Sequence, residues 1–128
     1  MKIAMMIVRT LVGALFVFGA VVFLFGLIAP PPMPEGPLKS FNEGLAASGY
    51  FFMLLKVTEL VCGILLLTGR FVPLALVILS PIVINILMVH TFLDRTGLPV
   101  AAFLTAAFVF LGYYYRKAFA PLLTPKYE

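Results

Sequence analysis

The stretch LLKVTELVCGILLLTGRFVP, residues 54–73, decides the fold of this chain. It lies in an apolar run over about residues 48–69 and carries Lys56 and Glu59 near the middle of that run. About 20 apolar residues cover the roughly 30 Å of bilayer hydrocarbon at 1.5 Å per residue. The short GRFVP segment allows only a tight reversal, with Pro73 in the first turn of the next helix. The stretch therefore predicts two antiparallel transmembrane helices, one of which has a charged pair inside the membrane.

The composition of the whole chain also indicates a membrane protein. Of its 128 residues 63% are hydrophobic and only 11% are charged, whereas an ordinary soluble domain is about 45–50% apolar. The mean hydropathy is +1.16. So few charged side chains cannot wet the surface of a soluble four-helix bundle, which excludes that class. The length predicts a single domain, residues 1–128.

Apolar runs occur four times, and together they predict an all-α bundle of four transmembrane helices with antiparallel neighbours. The first run resembles a signal peptide because Lys2 and Arg9 precede it. Its apolar part, residues 10–29, exceeds the roughly 7–15 residues of a signal-peptide core, and prolines follow it, so we interpret it as a retained helix. The runs cover about residues 3–28, 48–69, 71–92 and 98–116.

The connection between the first two runs has two parts. The segment APPPMPEGP, residues 29–37, is too rich in proline to be helical and is expected to be extended. The segment LKSFNEGLAASG, residues 38–49, places Phe41 and Leu45 at i, i+4 spacing. This spacing predicts a short interfacial helix in the first outer loop, with Ser40 as its N-cap.

Lysines and arginines predict the orientation, since they concentrate on the cytoplasmic side. If both termini are cytoplasmic, six lie inside and only Lys39 and Arg95 lie outside, with Lys56 in the membrane. We therefore predict a multi-pass plasma-membrane protein with both termini in the cytoplasm. The net charge of +4 is attributed to contact with anionic lipids, and no nucleic-acid partner is expected. The predicted partners are the lipid bilayer and either another membrane protein or a second copy of the chain.

Lys56 and Glu59 are three residues apart and share one helix face. A charge at the bilayer centre costs roughly 2.5–3.5 kcal/mol on insertion scales, so the pair needs a compensating reason. One interpretation is structural: the two groups neutralise each other and fix helix packing. Lys before Glu is the less favourable order for a helical pair, which weakens this interpretation without excluding it. The other interpretation is a functional site.

Counting the helical rise from the outer ends places further polar residues at a similar depth. We expect Lys56, Asn85 and Thr105 to share a polar pocket with Glu59 at its floor. Gly63, four residues beyond Glu59, is expected to be a notch where another helix approaches closely. The predicted ligand-binding residues are Lys56, Glu59, Asn85, Thr105 and His90, and Glu59 is the best candidate for a catalytic role.

His90 and Cys62 limit the cofactor chemistry. His90 is about 140° around the helix from Asn85 and near the outer interface, so it is expected to face lipid headgroups. A single histidine cannot supply two haem ligands. The single cysteine excludes an internal disulfide, a CxxC pair and a thiolate metal cage made by one chain. We therefore expect no metal site and no cofactor held covalently or by metal ligation, with a quinone as the candidate small ligand.

Three blocks of the chain resemble the DoxX family of small four-helix membrane proteins. They are RTLVGALFVFGAVVFLFG (9–26), SGYFFMLLKVTELVCGILLLTGRFVPLALVILSPIVINILMVHTFL (48–93) and AAFLTAAFVFLGYYY (101–115). The resemblance implies that Glu59 corresponds to the family's glutamate. The family often has a lysine shortly after a glycine like Gly19, whereas this chain has Val22 and Phe23 there. The resemblance therefore implies that the role of that lysine is either missing from this chain or carried by Lys56. Its relatives imply a redox setting linked to quinones or thiols.

Three functional hypotheses follow. In the first, the chain is an accessory subunit of a membrane redox system: a quinone-like or small polar ligand meets Lys56 and Asn85, Glu59 exchanges its proton, and a partner protein supplies electrons. In the second, it is a membrane scaffold or assembly protein whose polar cluster fixes helix register. The third, a small-solute or lipid transporter, is weaker because four helices without a visible repeat offer little to rock around a central site.

Overall fold

A computed structural model describes residues 1–29 and 32–126, and within them the chain is helical with no strand. Four segments are long and apolar enough to cross a membrane, with the last extending from Arg95 through the fourth long helix. The predicted all-α bundle of four transmembrane helices is therefore confirmed. The helices are α1 (Lys2–Leu24), α2 (Pro37–Ala47), α3 (Phe51–Thr68), α4 (Val72–Phe92), α5 (Leu98–Tyr114) and the short α6 (Arg116–Phe119).

The four long helices form a closed ring in which α1 packs on α3, α3 on α4, α4 on α5 and α5 on α1. Phe23 near the end of α1 lies against Phe52 at the start of α3, with ring centroids 5.7 Å apart, so these helices are antiparallel. The Tyr115 hydroxyl donates to the Met5 sulfur at 3.3 Å. The start of α1 and the end of α5 thus meet at one end of the bundle, which we call the terminal end; the opposite end, with α2, is the loop end. Which end faces the cytoplasm stays a prediction.

The helix ends follow local turn chemistry. The first helix stops at Leu24, before its apolar run ends, because Gly26 adopts a left-handed φ of 61° and the Leu27 amide donates to the Val22 carbonyl at 3.0 Å. The predicted tight reversal between α3 and α4 is confirmed: Gly69 is left-handed at φ 74° and Pro73 lies in the first turn of α4.

The predicted short helix in the first long loop is confirmed as α2, but its predicted cap is wrong. Ser40 lies inside the helix, which begins at Pro37 after Gly36. The fixed φ of proline suits the first helical position, so the helix starts four residues earlier than a cap at Ser40 would place it. Pro30 and Pro31 of the predicted extended segment lie outside the described residues.

A close contact joins α1 and α3 at Gly13 and Gly63, which are both buried. A Cβ atom on Gly13 would lie 2.9 Å from the Gly63 carbonyl oxygen, and one on Gly63 would lie 3.1 Å from the Gly13 carbonyl oxygen. The two backbones therefore touch, as small residues permit in membrane helix pairs. The prediction that Gly63 is a notch for another helix is confirmed.

We predict that Gly13→Ala lowers the free energy of unfolding by about 1–3 kcal/mol, because the added methyl group meets backbone that cannot move aside cheaply. The matched control is Gly112→Ala, a helical glycine whose added Cβ meets nothing within 4 Å. This control is expected to be neutral or to stabilise by up to about 1 kcal/mol through helix propensity. Unfolding in detergent micelles measures both, and equal effects of the two substitutions would contradict the close contact.

Candidate functional site

Lys56 and Glu59 form an ion pair on α3, with 3.4 Å between Lys56 Nζ and Glu59 Oε2. The side chain of Glu59 is 6% exposed and that of Lys56 is 23% exposed. Glu59 is the only fully buried charged residue in the described part of the chain. The two charges therefore neither point to solvent nor lie on opposite sides of the bundle, and they compensate each other within the span.

The Lys56 ammonium has a second neighbour on α1. Its nitrogen lies 5.7 Å from the centroid of the Phe23 ring, which attracts a cation through its quadrupole. Phe23 in turn packs on Phe52, one helical turn before Lys56. An ammonium has three N–H donors, and only one is directed at Glu59. Lys56 can therefore donate to a further polar group while it stays paired.

A cavity of about 160 Å³, the pair cavity, lies beside the ion pair between α1, α3 and α5. A Cβ on Gly19 would meet nothing within 4 Å, so the absence of a side chain there leaves the cavity open. Its rim residues Leu15 and Val100 are 42% and 53% exposed and border the lipid-facing surface. The volume is below the roughly 300–1,000 Å³ of common ligand pockets, so it suits a head group whose remainder stays in lipid.

The pair cavity combines two chemical functions in an apolar setting. The Glu59 carboxyl group can hold or release a proton, and the Lys56 ammonium can donate to a carbonyl or hydroxyl oxygen. The other walls are apolar side chains of α1 and α5. Across the described residues no group of three or more His, Cys, Asp or Glu side chains could hold a metal ion. The arrangement can bind a small oxygen-bearing head group and exchange a proton with it.

The five residues predicted to bind ligand do not share one pocket. Lys56 and Glu59 line the pair cavity, Asn85 and His90 line a larger cavity under α2, and Thr105 lines a third cavity of about 210 Å³. The prediction that these residues share one pocket is therefore wrong. The reason is rotation about the helix axes: similar depth does not give a shared direction. A binding role for Asn85, His90 and Thr105 stays a prediction.

Two of these residues differ from expectation in their surroundings. His90 lines the same cavity as Asn85 instead of facing away from it, and its Nδ1 lies 2.8 Å from the Ile86 carbonyl oxygen. The Thr105 hydroxyl donates to the Ala101 carbonyl at 2.8 Å, so its own helix satisfies it. Phe23 was not predicted as a site residue. Its position in the sequence could have indicated it, because Phe23 stands near where the family pattern has a lysine.

The fold and the ion pair define a small membrane protein with four candidate spans and a charged pair inside the bundle. The model of the DoxX family matches residues 4–92, and the chain belongs to this family. No curated protein and no solved structure matches the chain. The matched range includes Lys56 and Glu59, whereas α5, which completes the pair cavity, follows it.

We predict that the ion pair is energetically coupled. Removing one partner by Lys56→Met or Glu59→Gln leaves the other polar group buried without its partner, and the double variant relieves part of that cost. A double-mutant cycle on unfolding in detergent should give a coupling energy of about 0.5–3 kcal/mol.

The matched control is the pair Lys39 and Glu35, which are 2.6 Å apart at the exposed loop end. The same cycle with Lys39→Met and Glu35→Gln should give about 0.5 kcal/mol or less, because water screens exposed pairs. A coupling at Lys56 and Glu59 no larger than this control would mean that the buried contact does not stabilise the fold.

Proposed function

We propose that this DoxX-family protein is an accessory subunit of a membrane redox system and that its pair cavity binds the polar head of a quinone-like or other small ligand. The observation that carries the proposal is the Lys56–Glu59 pair beside a cavity that opens toward the lipid-facing surface. Ionisable residues inside a membrane span are costly and are therefore functional-site candidates. The redox setting comes from what the family resemblance implies.

In this proposal the ligand enters sideways from the bilayer, past Leu15 and Val100. Its carbonyl or hydroxyl oxygen accepts a hydrogen bond from Lys56 Nζ, and Glu59 gives or takes a proton as the head group changes redox state. A partner subunit supplies or removes the electrons. The apolar tail remains among lipid chains, which agrees with the small volume of about 160 Å³.

The structure changes one part of the hypothesis made from the sequence. Asn85 lines a different cavity, so it does not share the ligand with Lys56. The aromatic ring of Phe23 stands beside the Lys56 ammonium instead. This placement favours the view that the first-helix lysine of the family pattern is replaced by Lys56, whose ammonium reaches the neighbourhood of position 23 from α3.

A second candidate function is a scaffold or assembly protein without turnover. It is favoured by the position of Glu59 one turn from Gly63, where α1 and α3 touch, because a satisfied buried pair at that point would fix helix register. The lipid-facing surface gives such a protein room for partners. Only 22–28% of the residues in the 18-residue apolar stretch of each spanning segment are buried within the chain. The remaining apolar surface can contact lipid, another membrane protein or a second copy.

We further propose that the chain is one domain over residues 1–128 in the plasma membrane, with both termini in the cytoplasm. The support for the orientation is the excess of lysine and arginine at the terminal end of the bundle. The contact between Tyr115 and Met5 brings the start of α1 and the end of α5 together at this same end of the bundle.

We predict that protein purified in mild detergent carries a small ligand, quinone-like in its chemistry, at close to one per chain. Glu59→Gln should lower this occupancy about tenfold or more, since a hydrogen bond to a charged group contributes roughly 1.5–3 kcal/mol. Solvent extraction followed by mass spectrometry measures the ligand. The matched control is Ser80→Ala, in a different cavity, which should retain it.

Two outcomes separate the candidate functions. Ligand-free wild-type protein, together with an unchanged cellular redox phenotype in Glu59→Gln, would favour the scaffold over the redox subunit. A Glu59→Gln protein that loses stability but keeps its ligand would assign the pair a structural role only.

A further inference from the structure

A second and larger cavity lies at the loop end, between α2, α3 and α4. This loop-end cavity has a volume of about 390 Å³, which falls within the range of common small-molecule pockets. It is separated from the pair cavity by α3: Leu55 faces the loop-end cavity, whereas the next residue, Lys56, faces the pair cavity. A turn of about 100° per residue explains this division.

The apolar face of α2 covers the loop-end cavity without being buried. Leu38, Phe41 and Leu45 all line it, at the i, i+3, i+7 spacing of a helix face. An amphipathic helix normally buries such a face against another element, yet no residue of α2 is fully buried. Side chains that border empty space lose dispersion contacts on one side. The face of α2 therefore lacks an apolar partner that would fill the cavity.

Asn85 adds a polar requirement to the same cavity. It lies seven residues before the end of α4 at Phe92, which is about 10 Å inside the span. Its side-chain amide has no hydrogen-bond partner among residues 1–29 and 32–126. Asn85 is exposed to the cavity, and lipid offers an amide at this depth no donors or acceptors. The Asn85 amide therefore lacks a hydrogen-bond partner in this cavity. The apolar face of α2 lacks a packing partner in the same cavity.

Asn42, His90 and Asp94 form the remaining polar edge, and the Asn42 amide donates to the Met33 sulfur at 3.3 Å. A carbonyl oxygen only accepts, so the His90 Nδ1 donates in its 2.8 Å contact with the Ile86 carbonyl. The side-chain hydrogen bond from Thr96 lowers the pKa of Asp94 below its usual value. Asp94 is thus a carboxylate at neutral pH, and it accepts a hydrogen bond from the Thr96 hydroxyl.

The charges around the cavity select its ligand. The described lining residues include the carboxylate of Asp94 and no lysine or arginine, so an anionic head such as a phosphate has no counter-charge there. A cationic head would lose its hydration near Asn85, well inside the span. An uncharged head avoids both costs and can still pair with the Asn85 amide.

We propose that the loop-end cavity is a second binding site, independent of the pair cavity, for an uncharged amphiphile. Its hydroxyl or carbonyl head pairs with the Asn85 amide, beside the His90 ring. Its apolar part fills the space against Phe41, Leu45 and Leu55, and α2 covers it from the membrane surface.

Photolabelling in phosphatidylcholine nanodiscs tests this site. The probe is a long-chain alcohol with a diazirine in the chain, and two matched probes carry a phosphate or a trimethylammonium head on the same chain. Peptide mass spectrometry should locate the alcohol's labels on α2, the start of α3 and the end of α4. The phosphate and trimethylammonium probes should label these positions at least tenfold less.

Two variants make the result decisive. Asn85→Leu removes the polar partner, and Leu45→Trp fills the cavity; each should reduce alcohol labelling at the loop end about tenfold. The control Ser80→Ala, in the third cavity, should label as the wild type does. If Asn85→Leu does not fold, Leu45→Trp decides the question alone. Labels spread evenly over lipid-facing residues, equal labelling by the three probes, or unchanged labelling in Leu45→Trp would each overturn the proposal.

Discussion

The backbone contact between α1 and α3 at Gly13 and Gly63 is the constraint on which the remaining arrangement depends. Lipid chains are as apolar as leucine, so helices in a bilayer associate through close packing and polar contacts instead of hydrophobic burial. Because α1 and α3 are antiparallel, contact at Gly63 brings the later part of α1 beside the earlier part of α3. Gly19 and Phe23 thereby reach Glu59 and Lys56.

The charged pair has neighbours in the bundle that can compensate for lost water. Lys before Glu at three-residue spacing is a poor order in an isolated helix. In the bundle, the Phe23 ring flanks the ammonium and the buried carboxyl lies 3.4 Å from it. The Phe23 ring of α1 thus gives the Lys56 ammonium a neighbour that the local sequence of α3 does not provide. This dependence links the helix contact directly to the chemistry proposed for the site.

Two cavities on different faces of α3 differ in their chemistry. The pair cavity is small and contains an acid and an amine, which suits proton exchange with a head group. The loop-end cavity is larger and contains an amide and an imidazole under an amphipathic helix, which suits retention of an uncharged amphiphile. The proposed functions of the two sites are independent of each other.

The amino-acid sequence by itself determined the number of spans, the tight turn at Gly69, the short helix in the first loop and the identity of the charged pair. These features depend on composition, proline and glycine positions and the rise per residue, all of which are local. Sequence reasoning placed Lys56, Glu59, Asn85 and Thr105 at similar depths, but only the tertiary structure decided that they face three different cavities. Depth follows from counting residues along one helix, whereas direction follows from the rotation of each helix about its axis, which packing against its neighbours sets.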